Sequence, residues 1–107
     1  MKLSIIWLFD ENADNDKTFS SLDNEFAAAG EAELLFYATE QAEKAYQDQL
    51  GKLNYHLYSR QGKRDVECYN HAMQYVKGNL VTAIFSGDTF SEGSIRNLLD
   101  QANRYPT

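Results

Sequence analysis

Three aspartates stand at boundaries between runs: Asp10 after the apolar "IIWLF", Asp65 at the head of "DVECYNHAM", and Asp88 inside "IFSGDTF". An acid at the end of a buried strand is how many α/β enzymes hold a metal ion or a phosphate group. Three carboxylates brought together repel one another, and a divalent cation with hard oxygen ligands relieves that repulsion. Mg²⁺ or Mn²⁺ is the occupant this chemistry expects. One such ion orients a water against a phosphodiester and a second stabilises the leaving oxygen, so a converged Asp10, Asp65 and Asp88 would hydrolyse phosphodiesters. Crowding also predicts that Asp88→Asn stabilises the metal-free fold. Each acid has a plain structural reading beside this one: Asp10 and Asp88 suit tight corners, and Asp65 suits a helix N-cap.

Other reactive residues narrow the choice. Cys68 is the one cysteine, and with His56 and His71 it makes no zinc-ligand spacing. It reads as a small core residue. Glu67 and His71, four apart, share a helix face and read as an exposed pair. Arg60, Lys63 and Arg64 in "SRQGKRD" form the dense cationic cluster, which would either receive a phosphate backbone or lie solvated. The net charge of −6 opposes nonspecific attraction to polyphosphate, with acids crowding Asp10 to Asp16 and Glu25 to Glu33. Walker and dinucleotide glycine motifs are missing. A receiver domain would need an acceptor aspartate where Ser59-Arg60 stands, and a haloacid-dehalogenase-type phosphatase would need a second Asp in Asp10-Glu11-Asn12. The apolar run Ile5 to Phe9 is too short for a signal core or a membrane span, so the expectation is a cytoplasmic protein without membrane contact.

The elements that must position these residues follow from periodicity. With 107 residues and 43% hydrophobic content, residues 1–107 make one domain that can bury its own core. "KLSIIWLF" is a short run without polar alternation, the pattern of a strand covered on both faces, and "AELLFYA" is a second buried strand; "LNYHLYS" alternates as a strand nearer an edge does, and "LVTAIFS" is the fourth strand. Between them Phe19, Leu22, Phe26 and Ala29 fall at helical spacing. So do Ala42, Ala45, Tyr46 and Leu50 after an N-cap at Thr39. Val66, Tyr69, Met73 and Val76 give a third helix an apolar stripe behind Asp65, and Ile95, Leu98, Leu99 and Ala102 a fourth, started by Ser91. Strict alternation of strand and helix predicts an α/β fold: a three-layer α/β/α sandwich around a mostly parallel four-stranded sheet. The ends of its strands share one edge, which places Asp10, Asp65 and Asp88 on the same side.

Three segments in order, "IIWLFDEN", "GKRDVECYNHAM" and "VTAIFSGDTF", resemble the NYN branch of the PIN-like nucleases and span the chain nearly end to end. The resemblance implies a PIN-like fold and a metal-dependent endoribonuclease that cuts single-stranded RNA with Mg²⁺ or Mn²⁺. By it Asp10, Asp65 and Asp88 are ligands and Asn12 a helper in catalysis. Arg60, Lys63 and Arg64 would then hold the RNA. The chain departs from the family at Ser86-Gly87-Asp88-Thr89-Phe90, where a further Asp commonly precedes the Phe; the nearest later acid, Glu92, would have to serve as the fourth ligand. A depleted acid set also suits the alternative from a different class of function: a non-catalytic acidic protein of the same fold that binds a basic protein as a regulatory or immunity partner.

Overall fold

The chain alternates strand and helix as its sequence patterning requires. A computed structural model describes residues 3–29, 32–60, 62–77, 80–90, 93, 94, 97, 100 and 101. Its elements run β1 (Leu3–Leu8), α1 (Asn15–Ala29), β2 (Ala32–Ala38), α2 (Glu40–Ala45), α3 (Gln47–Leu50), β3 (Tyr55–Ser59), α4 (Asp65–Ala72) and β4 (Leu80–Phe85). The four strands form one parallel sheet in the order β3-β2-β1-β4. Leu8 pairs with both Tyr37 and Phe85, so β1, β2 and β4 end at the same height, and Ser59 of β3 is level with Ala38.

Burial explains why the central strands lack alternation. All six residues of β1 and all seven of β2 are buried, because helices cover both faces of the sheet. On one face Leu3, Ile5, Trp7, Leu34, Phe36 and Ile84 pack under Phe19 and Leu22 of α1 and under Ala42, Leu50 and Leu53. Here Trp7 meets Phe19 and Phe36 edge-on, at ring separations of 4.7 and 5.1 Å, a favoured geometry for aromatic quadrupoles. On the other face Ile6, Leu8, Leu35 and Tyr37 pack under Cys68 and Ala72 of α4. The register pair Ser4 and Glu33 adds a polar contact on that face: the Ser4 hydroxyl donates to the buried carboxylate at 2.6 Å, and the Lys77 amide donates to it at 2.8 Å. β3 is an edge strand, half-buried, as its alternation requires.

Two helices differ from the pattern read in the sequence. The segment after Thr39 breaks at Tyr46 into α2 and α3, with the Thr39 hydroxyl accepting the Ala42 amide at 3.1 Å. In α4 the stripe of Val66, Tyr69 and Met73 faces outward, with Val66 54% and Met73 56% exposed. The small side chains of Cys68 and Ala72 face the sheet instead and let the helix lie close over it, and Val76, half-buried, lies beyond the helix end. The chain beyond β4 crosses α1: Ser21 accepts the Phe90 amide at 2.6 Å, while Glu25 accepts from the Gly93 amide at 3.1 Å and the Ser94 hydroxyl at 3.3 Å. Of the expected last helix, Ser94, Asn97, Asp100 and Gln101 are described and helical, while Ser91, Ile95, Leu98, Leu99 and Ala102 lie outside the described residues, and so does Glu92.

Candidate functional site

The strand ends gather the residues singled out in the sequence along one edge of the sheet. At one end of that edge is Ser86, directly after the outer strand β4. Its hydroxyl oxygen accepts the indole N–H of Trp7 at 3.1 Å and the backbone N–H of Asp10 at 2.8 Å, tying the end of β4 to the end of β1. Asp10 then turns the chain: its Oδ1 accepts the Asn12 amide at 3.0 Å, and its carbonyl accepts the Asn15 side-chain amide at 2.9 Å. This is the carboxylate-to-backbone turn that aspartate favours.

Asp88 serves the neighbouring corner. Its Oδ2 accepts the Phe85 amide at 2.9 Å while its own amide donates to the Phe85 carbonyl at 3.0 Å. Gly87 between them takes φ +93°, a left-handed conformation that glycine enters without a Cβ penalty. Thr18 of α1, fully buried, locks this corner by accepting the Gly87 amide at 2.9 Å and donating to the Asp88 carbonyl at 2.8 Å. Thr18, Ser21 and Glu25 repeat at helical spacing and form a polar seam that holds the chain leaving β4. Neither Ser86 nor this seam is visible as a site in the sequence. The signal that could have found the seam is the spacing of three polar residues beside the apolar stripe of α1.

Asp65 opens α4 rather than capping it; Arg64 holds the cap position without a side-chain cap bond. The Asp65 carboxylate is gripped by the guanidinium of Arg60 through Nη2. The other cations of the loop are also engaged: Lys63 Nζ donates to the Ser59 carbonyl at 2.9 Å, and Arg64 Nε donates to Glu67 at 2.9 Å. Two of the three cations thus face an acid, Arg60 with Asp65 and Arg64 with Glu67, and Lys63 meets a backbone carbonyl.

Beside Asp10 lies a cleft of about 380 Å³ between the ends of β1, β2 and β3, bounded by Asp10, Glu11 and Asn12, by Thr39 and by Arg60. Asp65 and Asp88 do not line it. Among the described residues, no three Asp, Glu, His or Cys side chains are gathered so that they could hold a metal ion. Among the described residues, the three aspartates lie along one edge of the sheet but are not gathered at one point.

Exposed acids dominate the rest of the edge: Asp10, Glu11, Asp14 and Asp16 all face solvent on the β1–α1 turn and the first turn of α1, with Glu40 opposite them at the head of α2. Among the described residues, no helix is long and apolar enough to cross a membrane. Set against family models, curated proteins and solved structures, the chain matches none.

Proposed function

We propose that the chain is a non-catalytic α/β binding protein that docks a basic protein segment on the acidic edge of its sheet. The observation that supports this reading is the division of labour among the acids. All of these acids are exposed, but Asp10, Asp65 and Asp88 have their carboxylates bonded to the chain's own groups and Asp14 accepts the Lys17 amide at 3.3 Å, while Glu11 and Asp16 stand beside them facing solvent. Acids spread over an edge raise the on-rate and set the orientation of a cationic partner, and they do so without an ion.

The test uses a lysine-rich peptide as probe. Binding should weaken steeply with salt, should be lost in the triple variant Glu11→Lys, Asp14→Lys, Asp16→Lys, and should be indifferent to chelators. Binding that survives the triple charge reversal contradicts the proposal.

One observation favours a second reading, metal-dependent cleavage of single-stranded RNA by a PIN-like domain. Asp10 and Asp88 leave the adjacent strands β1 and β4 and both rest on the Ser86 corner, and Mg²⁺ needs only one or two carboxylates when waters and phosphates complete its shell. RNA cleavage that requires Mg²⁺ or Mn²⁺ and is lost in Asp10→Asn would establish this second reading in place of the first.

A further inference from the structure

On the face of the sheet covered by α4, three tyrosine rings lie one on another from core to surface. Tyr37 of β2 is fully buried. Tyr58 of β3 stacks on it with ring centres 5.3 Å apart and planes 24° from parallel, and Tyr75 lies against Tyr58 tilted by 31°, again at 5.3 Å. Tyr75 is 46% exposed, so the stack opens to solvent at one end. His71 stands against all three rings, at 5.8, 5.5 and 5.0 Å, and its Nδ1 lies 2.8 Å from the Tyr37 hydroxyl. A structural cluster needs only packing. This one also supplies a base at its buried end and contact with solvent at the other.

We infer that Tyr75, Tyr58 and Tyr37 form a path for one-electron oxidation that runs from the surface to the core and ends on Tyr37, with His71 as the acceptor of the Tyr37 phenolic proton. A phenol that loses an electron becomes a strong acid and must release its proton at once. Buried phenols lack water to take it, which makes a neighbouring imidazole decisive. With the ring proton of His71 on Nε2, Nδ1 is bare and the Tyr37 hydroxyl donates to it. An outer-sphere one-electron oxidant at the surface takes an electron from Tyr75. Tyr75 and Tyr58 each give up the phenolic proton on oxidation and take one back on being refilled, Tyr75 with an electron from Tyr58 and Tyr58 with an electron from Tyr37, so both end as neutral phenols. The Tyr37 O–H bond breaks, the proton passes to Nδ1, and the products are a neutral Tyr37 radical, a His71 imidazolium and the reduced oxidant. Burial, followed by the negative charge that Tyr58, Cys68 and Tyr75 would carry, pushes the Tyr37 phenol well above the usual tyrosine range, so loss of the proton to solvent does not compete.

Flash oxidation of the whole protein with photogenerated tris-bipyridyl ruthenium(III), read by electron paramagnetic resonance and by the neutral tyrosyl absorption band, tests this. Wild-type protein should give one persistent neutral tyrosyl radical. That signal should be lost in Tyr37→Phe and slow to appear in Tyr58→Phe. In His71→Gln, which keeps a hydrogen-bonding side chain but supplies no base, it should be lost. Tyr69→Phe, a partly exposed ring outside the stack, should change nothing. A persistent radical of unchanged yield in Tyr37→Phe or His71→Gln overturns the inference, and so does a radical carried by Trp7. If Tyr37→Phe does not fold, the rate in Tyr58→Phe decides: formation as fast as in wild type refutes the path.

Discussion

Asp88 separates a corner acid from a metal ligand by the sign of one stability change. In the fold its Oδ2 accepts the Phe85 amide at 2.9 Å in an exposed corner. Asp88→Ala removes that acceptor. Hydrogen bonds to a charged group contribute roughly 1.5–3 kcal/mol when sheltered, and solvent around this corner reduces the loss to about 1 kcal/mol. For a domain near this size that is a fall in Tm of roughly 4–8 °C. Asp88→Asn retains a side-chain oxygen and should fall by about half as much. The assay is thermal unfolding by circular dichroism in excess chelator, wild type beside both variants. If three carboxylates crowded one point, relieving a charge would stabilise the chelated protein instead. A rise in Tm for Asp88→Asn would therefore refute the corner assignment.

Three further outcomes follow from the packing. Ser86→Ala strands the buried Trp7 indole N–H and frees the Asp10 amide, and urea unfolding should show a loss of about 2 kcal/mol. Cys68 is fully buried and burial pushes its thiol up, so it should resist iodoacetamide in the native state and react only as denaturant opens the fold; rapid native alkylation would contradict this. Tyr37 binds its proton more tightly folded than unfolded. Its contribution is complete below the ordinary tyrosine value of about 10 and is lost as pH rises through the higher folded value, so stability should decline above about pH 10. Tyr37→Phe should flatten that decline in melts across the alkaline range.

Much of the architecture is written in the runs themselves. "LSIIWL" and "AELLFYA" lack alternation because both faces of β1 and β2 are covered, and the alternating "YHLYS" is one of the two edge strands of the described sheet; the other, β4, is half-buried over most of its length without alternating in sequence. The stripe on α4 misleads for a physical reason: periodicity marks which residues share a helix face but not which face meets the sheet. Cys68 and Ala72 win because small side chains permit a close approach that Val66 and Met73 would prevent. The strand-end positions of Asp10 and Asp88 were readable from the pattern. What each carboxylate bonds to was not, since that depends on side-chain torsions and on partners far along the chain. Ser86 reaches Asp10 across 76 positions, and Thr18 reaches Gly87 across 69. Arg60 and Asp65 are only five apart, yet their pairing depends on the loop that folds between them.

Asp10 and Asp88 hold the chain's own corners, and the proposed function needs no ion there. Calorimetric titration of the wild-type protein with Mn²⁺, repeated on Asp10→Asn, tests it most directly. The account predicts no saturable heat in either protein and equal Tm values with and without the ion. Saturable, stoichiometric binding to the wild type that disappears in Asp10→Asn would contradict it.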